Sequence, residues 1–505
     1  MIEVSPRRFV IVGGGTAGWL AALMLQEAIA RQKLNATVTV VESSKIPTIG
    51  VGEGTTAVFR QMLKHFGFDE LEFLRETEAT IKFGIRHRDW RRKGHHYDGP
   101  IDDPHLVVEP AGGPPQSYID IFSCAAGRRL ADAHLFGYLL DQHKAPFARK
   151  TDGGLVQMGP YHHAYHFDQA LAGQYLRRKS KGVEIIDAQV SGALRDAETG
   201  DIIALHSDAG EITGDFFIDC TGFRRALVTG VMGGNWVSYG DVLPLNRAMP
   251  FWLDIADGEE LSPFTTAWAQ SAGWMWMIPT QKRIGCGYVY SDQFTTSDKA
   301  QAEIEIVLGR KIQPRNDIKI DAGRQREAWI GNCLSLGLAS SFLEPLEATS
   351  IHGTIVQMLV FTNFHLKTLD GREAYNEFAG GQVDDFRDFI NLHYVSERRD
   401  TPFWAAVAGD YVSPATKARL ALWQSKMPLH ADFQPLPGGF AHTEQQLYYP
   451  VLDGLGLLNR DAAREFMEAH PDLRAKGKAA ADSLTAEYRA ATPRALGHRE
   501  FLQSL

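Results

Sequence analysis

A strand, a glycine-rich turn and a helix follow one another near the start of the chain, and this order constrains the fold more than any other feature. Arg8-Phe9-Val10-Ile11-Val12 is a β-branched and aromatic run, Gly13-Gly14-Gly15-Thr16-Ala17-Gly18 follows it directly, and residues 19–25 read as helix. A second strand, Ala36-Thr37-Val38-Thr39-Val40-Val41, ends in Glu42, 24 positions after Gly18. The pattern predicts a βαβ unit that binds a dinucleotide. Gly13 makes the turn, Gly15 lets the backbone approach a pyrophosphate, and Gly18 lets helix and strand pack closely. Thr16 and Ala17 open the helix, whose N-terminus faces the anion. Glu42 stands where a ribose hydroxyl needs an acceptor. The chain carries one such fingerprint, which favours FAD over a reductase with its own nicotinamide site.

Further pieces extend this unit. Gly50-Val51-Gly52-Glu53-Gly54-Thr55 reads as a loop whose backbone nears the cofactor, or as a plain surface turn. Residues 183–190, 202–205 and 215–221 look like strands returning to the sheet, so the cofactor domain is discontinuous. From about Arg372 the pattern turns helical, as in residues 384–390 and 479–491. The expectation is an α/β chain in which residues 1–371 hold cofactor and substrate. Residues 372–505 then form a mainly helical C-terminal region completing the pocket.

Composition narrows the function classes. With 44% hydrophobic and 22% charged residues, disorder is excluded as the main state. The net charge of −9 argues against a polyanion-binding surface, so nucleic acid is not expected as a partner. Cys124, Cys220, Cys286 and Cys333 are too scattered for a disulfide framework or a zinc site, which points to reduced thiols, no metal and a cytoplasmic home. The first residues leave no room for a signal peptide, and no apolar run is long enough to span a bilayer. Residues 110–115 mark a surface loop. The stretch 94–115, with His95, His96, Tyr97 and His105, reads either as a pocket lid or as a surface excursion.

Taken together, several segments resemble flavin-dependent tryptophan halogenases over most of the chain. They are residues 13–19 and 50–55, Ile81-Lys82-Phe83-Gly84-Ile85, Gly273-Trp274-Met275-Trp276-Met277-Ile278-Pro279, and Phe342-Leu343-Glu344-Pro345-Leu346-Glu347-Ala348-Thr349-Ser350. The WxWxIP run from Trp274 to Pro279 is the most specific. The resemblance implies a Rossmann-like FAD domain of the flavin monooxygenase type. It also implies a reaction in two compartments, in which reduced FAD (FADH2) and O2 turn halide into hypohalous acid that travels to a separate aromatic site. Carried over by motif, the directing lysine is Lys82 and the glutamate Glu347, with Glu344 as the competing assignment. The halide-binding amides fall on Thr349 and Ser350, and the flavin neighbours are Gly50, Val51, Leu338 and Ile351. Val190 would meet the adenine, and Trp274 and Trp276 would separate flavin from substrate. A separate flavin reductase and a small aromatic substrate are implied partners, and a homodimer is common in the family.

Each residue also has a plainer reading. Lys82 beside Ile81 and Phe83 could snorkel at the surface. Glu347 could be a first-turn acid of a helix starting near Thr349, and Trp274 and Trp276 could be core on one face of a strand. The lysine could act as an ammonium hydrogen-bonded to hypohalous acid or as an amine forming a haloamine. Ala348 replaces the serine that many relatives carry, and Ser350 replaces a glycine. Tyr448-Tyr449 is present, yet no nearby carboxylate is obviously placed for a substrate ammonium, Asp453 being the closest in sequence. The reading is therefore a halogenase acting on indole or another electron-rich arene, with bromide used more readily than chloride. An aromatic monooxygenase is the alternative within the same class, and a non-catalytic flavin-binding protein lies outside it.

Overall fold

The computed structural model describes residues 7–46, 52–101, 118–159, 161–429, 432–433, 443 and 445–505. Gly50, Val51, His105 and the 110–115 loop lie outside these residues.

Burial of the apolar run Phe9-Val10-Ile11-Val12 organises the first layer. Strand Arg7–Val12 pairs in parallel with Ala36–Glu42 on one side and with Phe216–Asp219 on the other. Glu184–Asp187 and Cys333–Ser335 extend the sheet in parallel, and Trp329–Ile330 closes it antiparallel, giving six strands. Parallel strands covered on both faces carry continuous apolar sequence, as Phe9-Val10-Ile11-Val12 and Phe216–Asp219 do, whereas the edge strand Glu184–Asp187 is mostly exposed. Helix Thr16–Gln32 packs on the sheet through Trp19, Leu20 and Leu25, all fully buried. The turn between strand and helix admits only glycine at two points. Gly13 has φ +118°, and a Cβ there would sit 2.2 Å from the Cys220 carbonyl oxygen. A Cβ on Gly18 would lie 1.8 Å from the Gly13 carbonyl oxygen.

The sheet draws its strands from separate stretches of sequence, with one correction to the set read from the sequence. The 202–205 segment does not return to it. Ile202–Ser207 pairs antiparallel with Val190–Arg195 and Gly210–Thr213 in a separate three-stranded sheet. Its apolar residues are buried by a local hairpin, and a short apolar run cannot say which sheet a strand joins. The 183–190 segment likewise splits, since Glu184–Asp187 is in the main sheet and Val190 starts the next strand.

A second, seven-stranded sheet holds Gly84–Arg88, His96–Pro100, Arg247–Asp254, Thr265–Ala269, Gly273–Pro279, Arg283–Tyr290 and Ile318–Lys319. A small sheet of Gly52–Gly54, Ala164–Asp168 and Thr80–Lys82 lies against it, with Gly52 beside Ile278 and Gly285. After residue 371 the described residues form helices, from Arg372–His393 to His498–Gln503. These helices share cores with the rest of the chain. Trp90 and Trp274 pack in one cluster with Phe389, Trp404 and Tyr448, while Phe9 and Trp19 belong to a cluster that includes Tyr449 and Phe501. The four cysteines are unpaired. No described helix is long and apolar enough to cross a membrane.

Candidate active site

Two cavities meet across a shared wall. The first opens over the glycine turn and is lined by Gly13, Gly15, Thr16, Ala17, Glu42 and Val190, with Leu338 and Ile351 at its far end. Helix Thr16–Gln32 offers an N-terminus with no side-chain cap and no acid in its first turn, so its first N–H groups and its dipole are available to an anion. A Cβ on Gly15 would meet nothing within 4 Å and would project into open space. Gly18 does not line this cavity; its part is to let helix and strand close up. Glu42 lines it while its Oε1 accepts from Arg177 at 2.8 Å.

The second cavity is lined by Lys82, Trp276, Ile278, Phe342, Glu344 and Thr349. Glu53, Gln169, Leu338, Ser350 and Ile351 border both cavities. Glu53 Oε2 and Gln169 Oε1 are buried there with no hydrogen-bond partner among the described residues. Burial, helped by the charge of Asp168, pushes the Glu53 carboxyl up to about 7. Orphaned buried polar atoms are costly, and these two fit a cavity that receives a polar group. Gly15, the open helix terminus and these atoms together suit a dinucleotide.

Lys82 ends the strand Thr80–Lys82. Ile81 and Phe83 point to the opposite face and are fully buried. Lys82 is itself only 1% exposed, so it does not snorkel. Its Nζ donates to the Thr55 carbonyl oxygen at 2.9 Å. Burial pushes its ammonium down to about 8, against the opposing pull of the Glu347 charge.

Helix Thr349–Val360 starts on this cavity wall. Its N-cap is Ala348, in the left-handed region at φ +54° and without a side-chain cap, so the first-turn amides that include Thr349 and Ser350 are unclaimed by a cap. Glu347 precedes the helix, also left-handed at φ +64°, and is not its first-turn acid. Its Oε1 accepts from His393 Nε2 at 3.0 Å and lies 3.4 Å from His87 Nε2. Burial would raise the Glu347 carboxyl, but the hydrogen bond from His393 and the close approach of His87 outweigh it and hold the group well below the usual carboxylate range. These three side chains are the one group among the described residues whose donor atoms converge closely enough, within 4.8 Å, to share a metal ion.

Glu344, the competing carboxylate, is engaged differently. Its Oε2 accepts from Trp274 Nε1 at 3.1 Å and from the Tyr394 hydroxyl, while Oε1 has no partner. Burial pushes this group up to about 7. The two tryptophans share a face of Gly273–Pro279, with ring centroids 6.5 Å apart. Only Trp276 lines the cavity; Trp274 is fully buried behind it, 6.0 Å from Trp90.

The other candidate residues are occupied by the fold. Tyr448 Oη accepts from Arg419 at 2.5 Å, Tyr449 Oη donates to the Pro428 carbonyl at 2.6 Å, and Asp453 pairs with Arg460 at 2.5 Å. Within the 94–115 stretch, His96–Pro100 is a strand of the second sheet, with Tyr97 stacked on His87 at 4.5 Å. Sequence reasoning missed His87 and His393. The alternation of buried Ile85 and His87 with more exposed Arg86 and Arg88 was a signal for the first; nothing local marks the second.

A family model described as tryptophan halogenase matches residues 8–468. Tryptophan 6-halogenase SttH of Streptomyces toxytricini is 32% identical over 486 residues, covering 90% of each chain. Tryptophan 7-halogenase RebH of Lentzea aerocolonigenes is 33% identical over 494 residues, covering 89% of this chain and 90% of the relative. Among solved structures, a tryptophan C-6 flavin-dependent halogenase (chlorinase) from taromycin biosynthesis superposes with a TM-score of 0.86 at 29% identity, over 99% of both chains.

Proposed function

Because the chain belongs to the tryptophan halogenase family, we propose that this enzyme makes hypohalous acid beside a bound FAD and delivers it through the second cavity to an indole or other electron-rich arene. One observation carries the reading. A cavity suited to a dinucleotide adjoins a second cavity whose lining holds a buried lysine, and an uncapped helix N-terminus stands between them.

Gly13, Gly15, Thr16 and Ala17 would hold the pyrophosphate through backbone amides, Val190 the adenine, and Leu338 and Ile351 the flavin ring. Bound there in reduced form, FAD supplies the two electrons with which O2 oxidises halide. The amides of Thr349 and Ser350 would hold the halide, because backbone donors replace its lost water without neutralising it. Trp276 walls the passage and keeps the arene from the flavin.

At neutral pH a lysine titrating near 8 is about nine-tenths ammonium. Lys82 therefore donates a hydrogen bond to the oxygen of hypohalous acid and makes the halogen more electrophilic. As the carbon–halogen bond forms, the oxygen–halogen bond breaks and the departing hydroxide takes the Lys82 proton, leaving water. The ring then returns its proton to Glu347, whose carboxylate is held ionised and lies within electrostatic reach of Lys82, just behind the cavity lining at Ala348. The ring cation is a strong acid, so a weak base suffices provided that it is ionised. A proton passing from Glu347 back to Lys82 resets both.

Arg460, Arg419 and the Pro428 carbonyl occupy Asp453, Tyr448 and Tyr449, which supports an arene without the charged amino-acid ends of free tryptophan. Bromide is the expected halide of choice, being easier to oxidise and desolvate than chloride. Residues 1–371 would carry flavin and transfer site, with 372–505 closing the arene side. A separate reductase would supply the reduced flavin.

The test is mass spectrometry after incubation with FAD, a flavin reductase, NADH and either halide, with indole and free tryptophan offered side by side. Brominated indole should exceed both chlorinated indole and halogenated tryptophan. Oxygenated arene formed without regard to halide would replace the reading with a monooxygenase.

A further inference from the structure

Glu347 is held in a way that its role in transfer does not by itself explain. We propose that His393, as an imidazolium fixed by the Phe389 carbonyl, is the positioning residue that aims Glu347 and keeps it a carboxylate, with His87 as a second, neutral hold. The inference rests on the reading of Glu347 as acceptor of the ring proton.

The backbone is the first observation. Glu347 and Ala348 are consecutive left-handed residues, at φ +64° and +54°, a conformation that side chains with a Cβ rarely adopt and that persists where surrounding contacts enforce it. The contacts on the Glu347 side chain come from two imidazoles with no exposed side-chain surface.

Proton counting is the second observation. His393 Nδ1 lies 2.9 Å from the Phe389 carbonyl oxygen. A carbonyl can only accept, so Nδ1 carries a hydrogen. His393 Nε2 lies 3.0 Å from Glu347 Oε1. With Glu347 a carboxylate, which only accepts, Nε2 carries a second hydrogen and the ring is cationic. The one other assignment puts that proton on Glu347, and the two assignments predict opposite charge on the carboxyl group. His87 contributes no second cation. Burial holds its imidazolium down to about 4, and neither ring nitrogen has a hydrogen-bond partner among the described residues, so its single ring proton serves best on Nε2, the nitrogen 3.4 Å from Glu347 Oε1.

Four titratable groups face Glu347, from four different elements. Lys82 comes from Thr80–Lys82, His87 from Gly84–Arg88, Tyr97 from His96–Pro100 and His393 from the end of Arg372–His393. Burial keeps the Tyr97 phenol neutral, and the charge of Glu347 adds to the effect. Lys82 spends its proton in the reaction. His393 is then the cation that stays in place while Lys82 changes charge, and it stops the buried carboxyl from taking a proton before the arene delivers one.

The test reads the carboxyl group directly. Infrared difference spectra of the full-length enzyme, with ¹³C-labelled glutamate to shift the band and Glu347→Gln to assign it, report whether Glu347 is protonated between about pH 6 and 9. The wild type should show no protonated Glu347 in this range. His393→Gln should show one that titrates within it, and His87→Gln should show none. In the halogenation assay, His393→Gln should form hypohalous acid at the wild-type rate within two-fold. Halogenated arene per hypohalous acid should fall at least ten-fold near pH 6 and recover as pH rises. A His393→Gln carboxyl that stays ionised throughout, or a transfer loss that does not change with pH, would overturn the proposal. The infrared result stands whether or not the arene is halogenated. Separately, transfer that survives in Glu347→Gln would refute the reading of Glu347 as the proton acceptor without touching the His393 pairing.

Discussion

Replacing Lys82 by methionine should make the protein more stable at neutral pH while removing its activity. Lys82 is 1% exposed, and burial lowers its ammonium from 10.5 to about 8 even with Glu347 nearby. That difference corresponds to about 3 kcal/mol against the charged form in the folded state. Methionine fills similar space without a charge. It also leaves the Thr55 carbonyl without its donor, now at 2.9 Å, a loss of about 1 kcal/mol. The net expectation at pH 7 is a gain of about 2 kcal/mol. The unfolded chain binds the lysine proton more tightly than the folded one between about 8 and 10.5. Wild-type stability attributable to this group therefore rises with pH across that window. The penalty is full below about 8 and absent above about 10.5, so the variant should become the less stable protein, by about 1 kcal/mol, at the alkaline end. Urea unfolding of both proteins at the two pH values measures this. A variant that is less stable at pH 7 by the same amount as at high pH would show that Lys82 is not held charged against burial.

The other expectations concern the cofactor and the wall between the cavities. Gly18→Ala places a Cβ 1.8 Å from the Gly13 carbonyl oxygen; the strand–helix turn must open, and FAD affinity by equilibrium dialysis should fall at least ten-fold. Trp276→Ala should open the passage, so that more hypohalous acid reaches solvent and less arene is halogenated per NADH oxidised, as read by a trapping assay beside product mass. Ala348→Gly relieves one left-handed residue at φ +54° and should leave stability unchanged or raised by up to about 1 kcal/mol in urea.

The βαβ unit was legible because its signals are local. The run Phe9-Val10-Ile11-Val12 needs a sheet, Gly13 and Gly18 need the absence of a Cβ, and Glu42 closes the next strand at the right spacing. Lys82 was legible through its motif alone. Its neighbours Ile81 and Phe83 suggested a surface lysine, since sequence does not show that the small sheet carrying it is covered on both faces. The grouping around Glu347 was not legible. His87 and His393 stand 306 positions apart, one on a strand and one at a helix end, and only the tertiary fold brings them to one carboxylate. Trp274 and Trp276 were placed correctly on one face, yet their neighbours divide them, because Glu344 and Trp90 enclose the first and the cavity receives the second. The 202–205 strand was assigned to the wrong sheet for a related reason, as a short apolar run records burial and not the identity of the partner.

The central claim is that oxidation of halide and its transfer to the arene occur at separate places in one protein. The most direct measurement counts hypohalous acid and halogenated arene together, in the wild type and in Lys82→Ala, with reductase, NADH, FAD and bromide present. The account predicts that the variant keeps bromide-dependent formation of hypohalous acid and loses the halogenated arene. Loss of both in a variant that still folds and binds FAD, or halogenated arene undiminished without Lys82, would contradict it.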